Sequence, residues 1–265
     1  MKQTGVPMGK RNKHAGKTAS SGENVKTRGL WLYGYHPVVA AIRARRRHFE
    51  RLLVTKETLT ELNAENLTLP VAPETVSRGD LTLMLPKGAV HQGIAALVSP
   101  LDDIALEDVD LSGNGVIAVL DQVTDPHNIG AVLRSAAAFD AMAVVVTEKN
   151  APEATATLAK SACGALETVP LVYVTNLARS LDQLKDNGFW CVGLDGRAEK
   201  EMHAADLPDK CVLIFGSEGY GMRRLTAQSC DMTVKLPISS KIESLNVSNA
   251  AAIALYEYAM QKREK

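Results

Sequence analysis

The chain has no apolar run long enough for a membrane helix, no paired-cysteine motif, few aromatic rings and no net charge, and each shortage removes a class of function. Across 265 residues every apolar stretch is broken by charge or glycine before it reaches the ~18 residues a membrane span needs. The basic N-terminus leads into no apolar core of the secretory kind, so a cytosolic protein is expected. Cys163, Cys191, Cys211 and Cys230 are widely spaced, with no CxxC pair and no nearby histidine pattern. They read as small buried hydrophobes in a reducing compartment, and no bound metal is expected. Aromatic residues make up 5% of the chain, too few for a broad base-stacking platform. Tyr33, Tyr35 and His36 are the candidates for a single stacked base, but core packing is the preferred reading for each.

The zero net charge conceals a strong polarity. Residues 1–51 carry twelve Lys and Arg against two acids, Glu23 and Glu50, and the remainder carries the matching negative surplus. A basic end of this kind points to a polyanion partner. Residues 1–28 are rich in Lys, Gly, Ser, Thr and Asn and nearly free of large apolar side chains, which predicts a disordered basic tail. From residue 29 to 100 a small α/β domain is expected. Pro37 opens a helix over Val38–Arg45, Arg43, Arg45, Arg46 and Arg47 crowd its last turn, and strands follow at Arg51–Thr55, near Val71 and at Ile94–Val98. Residues 101–112 read as a linker.

Beyond the linker, strands and helices alternate through 113–265. Strands are expected at Val116–Leu120, Ala143–Thr147, Val169–Val174, Trp190–Leu194, Val212–Phe215 and Thr233–Leu236. Helices are expected at Asn128–Phe139, Pro152–Ala162, Asn176–Asn187 and Leu245–Lys262. Continuous apolar strands separated by helices predict a parallel sheet covered on both faces, and ligands bind such sheets beyond the carboxyl ends of the strands.

Three segments stand at such ends. The first strand runs into Asp121–Gly130, which is not the G-x-G-x-x-G of a dinucleotide fold. It offers Asp125, His127 and Asn128 at the start of a helix that carries Arg134. Helix capping by Asp125 or Asn128 explains part of this equally well. Phe215 is followed by Gly216-Ser217-Glu218-Gly219-Tyr220-Gly221, whose three glycines let backbone approach a ligand and whose acid can accept hydrogen bonds. Tight turns use the same residues. Leu236-Pro237-Ile238 then leads through small polar residues to Ser244-Leu245-Asn246-Val247-Ser248 and an alanine-rich helix, with an N-cap by Ser244 or Asn246 as the simpler account.

Together, and in this order and spacing, the three segments resemble the signature motifs of the SpoU family within the SPOUT superfamily of methyltransferases. Gly34-Tyr35-His36-Pro37 and His91-Gln92-Gly93-Ile94 are similar to the small ribosomal-protein-like substrate-binding domain of many members. The resemblance implies a C-terminal domain with a trefoil knot, S-adenosylmethionine as cofactor and a ribose 2′-hydroxyl of RNA as acceptor. By motif position it implies catalytic roles for Asn128, Arg134, Glu218, Ser244 and Asn246. Cofactor contacts are implied at Gly216, Leu236, Ile238 and Leu245. Arg43, Arg45, Arg46 and Arg47 are the expected RNA-binding cluster, and a homodimer using the final helix is expected. The added N-terminal domain favours a guanosine of 23S ribosomal RNA, with transfer RNA the second candidate. A non-catalytic RNA-binding assembly factor and a nucleotide-dependent oxidoreductase are the competing classes; the second lacks a fitting fingerprint.

Overall fold

A computed structural model describes residues 29–149 and 156–263; the expected basic tail lies outside them. The N-terminal part comprises β1 (Leu30–Tyr33), α1 (Tyr35–Ala44), β2 (Phe49–Val54), α2 (Lys56–Ala64), β3 (Pro73–Thr75), α3 (Arg78–Met84) and β4 (Ile94–Val98). Its sheet runs β1-β4-β2-β3, with β4 antiparallel to both neighbours and β3 parallel to β2. Helix α1 starts two residues before Pro37. Proline is tolerated there because the amides of a first helical turn have no intrahelical partner. The helix ends at Ala44, and Arg45 takes the left-handed C-cap conformation with φ 54°, so Arg43 alone of the four arginines lies in the last turn.

Residues 101–112 are packed rather than loose. Ile104 bridges in parallel to Val172, and Leu106 and Val109 are buried against the larger sheet. That sheet is built from β5 (Gly115–Leu120), β6 (Ala143–Thr147), β7 (Leu171–Val174), β8 (Trp190–Leu194), β9 (Lys210–Phe215) and β10 (Met232–Val234). The helices around it are α4 (Pro126–Ala138), α5 (Ala156–Ser161), α6 (Leu177–Asp186), α7 (Arg224–Gln228) and α8 (Val247–Arg263). The strand order is β10-β8-β9-β5-β6-β7 and every neighbouring pair is parallel. Alternate residues of each strand enter opposite layers. Val116, Ala118 and Leu120 pack with α4 and α8, whereas Ile117 and Val119 pack with Leu177, Leu181 and Leu184 of α6. Both faces are thus covered, which is why the strands read as unbroken apolar runs.

The two parts meet closely. Gly164 has φ +91°, and a Cβ on it would stand 2.4 Å from Cβ of Ala40 in α1. Beside this contact Arg47 donates from Nε to Glu167 Oε1 at 2.8 Å and from Nη1 to the Ser99 carbonyl at 3.1 Å. The Arg47 and Glu167 side chains are 1% and 2% exposed. This corrects the expectation for Arg47: a guanidinium sealed between two domains offers no surface to RNA. Of its neighbours, Arg46 donates to the Glu167 carbonyl at 3.3 Å and Arg43 pairs with Glu65 at 2.6 Å. Arg45 is exposed and makes no side-chain bond to the described residues.

Candidate active site

The carboxyl ends of the central strands β5 and β9 bring two of the three polar segments together, and the third closes over them. Asp125 is the N-cap of α4, accepting the His127 N–H at 2.9 Å. That leaves Asn128 free to turn towards the neighbouring loop. Glu218, from the glycine loop after β9, accepts at Oε1 the Asn246 amide at 2.7 Å, the Val247 N–H at 3.3 Å and the Asn128 amide at 3.5 Å. Asn246 also donates to Asn128 Oδ1 at 3.1 Å. Its own Oδ1 accepts the Ser248 N–H at 2.9 Å and the Ser248 hydroxyl at 2.5 Å.

Asn246 therefore caps α8 with its carbonyl and holds Glu218 with its amide. An aspartate could cap but would repel Glu218, so the amide is the side chain that meets both demands. The simpler capping account and the site account hold together at this residue. Glu218 Oε2 is unengaged among the described residues, and the side chain is exposed. The cluster can orient a polar substrate group and accept its hydrogen bond.

The glycine loop is fixed from beneath. Ser217 and Gly221 exchange backbone hydrogen bonds at 3.2 and 2.9 Å, and a Cβ on Gly216 would fall 2.0 Å from the Gly221 carbonyl carbon. Asp121, fully buried at the end of β5, accepts the Arg223 backbone N–H at 2.9 Å and its Nε at 2.7 Å. Asp121 and Arg223 did not stand out in the sequence. The available signal was a charged residue directly after an apolar strand, where only a pairing partner makes burial tolerable.

Arg134 and Ser244 are exposed and make no hydrogen bond or ion pair with the described residues. Arg134 lies six residues beyond Asn128 on α4, on a different face of the helix. Leu236, Ile238 and Leu245 share a cavity of about 180 Å³ with Met202, His203, Pro237, Ile253 and Glu257. Gly216 is not among its lining residues and instead shapes the adjacent loop.

Tyr33 is buried, and the Tyr35 hydroxyl donates to Glu65 at 2.6 Å. That hydrogen bond pushes the Tyr35 pKa up to about 12. Burial pushes the Cys191 and Cys211 thiols up to about 12 and Cys230 up to about 11, which makes them poor nucleophiles. Among the described residues no helix is long and apolar enough to cross a membrane, and no group of three or more His, Cys, Asp or Glu is gathered as for a metal.

An open polar cluster at the carboxyl ends of a doubly covered parallel sheet, near an apolar cavity and in a chain with a second, small domain, has the layout of an α/β enzyme. Residues 115–256 match the SpoU rRNA Methylase family, and residues 31–103 match the domain described as RNA 2′-O ribose methyltransferase substrate binding. The chain is 41% identical over 246 residues to the 23S rRNA (guanosine-2′-O-)-methyltransferase RlmB of Pseudomonas putida, covering 88% of this chain and 97% of that protein. A crystal structure of an RNA 2′-O ribose methyltransferase superposes with a TM-score of 0.76 at 26% identity, covering 90% of each chain. The SpoU methyltransferase AviRb from Streptomyces viridochromogenes, in complex with AdoMet, shares the fold at a TM-score of 0.73 and 24% identity, over 89% of this chain and 91% of that one. The chain belongs to the SpoU rRNA methylase family, and it is an RNA 2′-O-ribose methyltransferase.

Proposed function

We propose that this enzyme uses S-adenosylmethionine to methylate the ribose 2′-hydroxyl of a guanosine in 23S ribosomal RNA. The observation that carries the reading is the meeting of Asn128, Glu218 and Asn246 from three separate segments, in a chain that spans nearly the whole length of its P. putida relative. An rRNA substrate supports a cytoplasmic location. Exposed Ile253 and Tyr256 on α8, a helix packed along α4, support a homodimer through that helix. The bonding of Asn246 and Val247 back to Glu218 supports the threading of the last segment against the glycine loop that a trefoil knot requires.

The cofactor fits the residues present. Leu236, Ile238 and Leu245 supply apolar walls of a cavity sized for a ring system, and the absence of a side chain at Gly216 lets the glycine loop close on its own Gly221–Met222 backbone. When bound, S-adenosylmethionine supplies a methyl group already activated by the sulfonium. The chain must then align the ribose oxygen and manage its proton. Asn128 and Asn246 fix Glu218, whose free Oε2 is placed to hold the 2′-hydroxyl. Ser244 stands two residues before Asn246 in the same segment and is assigned to the substrate side of the site. Arg134 offers the planar, forked guanidinium that suits oxyanions and acts as a clamp on phosphate and on the developing alkoxide. Arg45, with Arg43 and Arg46 partly engaged, contributes positive charge to the RNA-holding domain.

The test is transfer of labelled methyl to unmodified 23S rRNA and to bulk tRNA, followed by nucleoside analysis. The expected product is 2′-O-methylguanosine from 23S rRNA alone. Methylated tRNA alone, or a base-methylated nucleoside, overturns the proposal. Gly216→Ala is expected to lower transfer roughly 100-fold, because the added methyl displaces the loop backbone by about an ångström. The far-UV circular dichroism should stay unchanged, and wild-type transfer rates in this variant would remove the loop from the site.

A further inference from the structure

Tyr220 is 92% exposed, the highest exposure among the large apolar side chains that the structure describes as exposed. It sits two residues from Glu218, whose carboxylate is tied to Asn246 and Val247. Gly219 and Gly221 on either side have φ +83° and +69°, conformations that turn the chain sharply and that L-residues avoid. The stem beneath is held by the Ser217–Gly221 pair and by Asp121 bonded twice to Arg223. The tip therefore presents Glu218 towards the polar cluster and an aromatic ring to solvent, from a backbone ordered in advance.

A ring this exposed has no packing role among the described residues. Arg223 and Arg224 follow three and four residues on; Arg223 is held by Asp121, and Arg224 is exposed. An exposed aromatic ring in a segment that also carries an exposed cation suits a polyanion with planar bases better than an apolar protein surface. The backbone between Glu218 and Tyr220 spans at most ~7 Å, so a base stacked on Tyr220 belongs to the same short stretch of RNA as a ribose held at Glu218.

We propose that Tyr220 is a substrate-contacting residue that stacks on an RNA base beside the methylated ribose and holds that ribose in register with Glu218. The assignment rests on the proposed RNA methylation at this site and adds a recognition element to it. The two are separable, because RNA binding is measured without methyl transfer.

The experiment compares wild type with Tyr220→Ala, Tyr220→Leu and Tyr220→Phe in the full chain. The readouts are RNA affinity for 23S rRNA transcribed in vitro, KM and kcat for transfer, S-adenosylmethionine affinity, and mass by sedimentation. Tyr220→Ala is expected to weaken RNA binding and raise KM about tenfold, the loss typical of one stacked base. Tyr220→Leu should follow it, Tyr220→Phe should stay within about twofold of wild type, and cofactor affinity should not move. The salt slope of RNA binding should also be unchanged, since a neutral ring releases no counterions. Wild-type RNA affinity in Tyr220→Ala, full rescue by Leu, or dissociation of a dimer by Tyr220→Ala each overturns the assignment; the last makes the ring a contact with a second copy. Failure of the wild type to methylate any RNA would instead count against the proposed function.

Discussion

Arg134→Ala is expected to lower methyl transfer by two to three orders of magnitude while S-adenosylmethionine affinity stays within about twofold, the loss seen when one preorganised donor to a developing oxyanion is removed. The separation follows from where the residue stands. Arg134 is exposed on α4, bonded to nothing described in its own chain, and the cavity proposed for the cofactor is lined by other elements. Truncating an exposed, unpartnered side chain alters stability by no more than ~0.5 kcal/mol, so the fold survives and the whole effect falls on the reaction. Single-turnover transfer and equilibrium cofactor binding, measured side by side, decide the matter. Equal losses in both would make Arg134 a structural residue. Arg134→Lys should recover only part of the rate, because an ammonium cannot match the planar fork a phosphate and an alkoxide share.

What the sequence makes legible depends on how far each signal must travel. Strands β4, β6 and β8 lie where the apolar pattern puts them, because burial on both faces, or a strict alternation, writes itself locally. Helix α2 escapes notice because only Thr58 and Leu62 of its nine residues are buried, too few to show a helical period. Strand β3 is a short edge strand of half-exposed or exposed residues. Helix α7 buries Thr226 alone. The site divides in the same way. Its segments are visible one by one as polar loops after apolar strands, but the pairing of Asn128 with Asn246 joins residues 118 apart, and no local pattern announces it. Only the family resemblance puts those residues in one place beforehand.

The same distance explains Arg47, whose partner Glu167 lies 120 residues away, and it sets up the second large effect. Glu167→Ala is expected to destabilise the protein by about 3–5 kcal/mol, because it leaves the guanidinium buried and unpaired. The thermal midpoint should then fall by on the order of 10 °C. The pair is already imperfect, since Arg47 Nη2 and Glu167 Oε2 are buried without hydrogen-bond partners among the described residues. Replacing both residues together, as Arg47→Met with Glu167→Leu, should therefore restore the midpoint to within a few degrees of wild type or raise it, since no orphan charge remains. Calorimetry of the two single variants and the double variant tests this, and a double variant as unstable as Glu167→Ala would show that the ion pair itself, rather than the penalty of breaking it, holds the domains together. Transfer to RNA then adds a second reading. If the double variant is stable yet raises KM for RNA while kcat holds, the pair sets the angle at which the small domain offers the substrate to Glu218; if KM is also unchanged, the apolar seat of Ala40 on Gly164 is sufficient to set it.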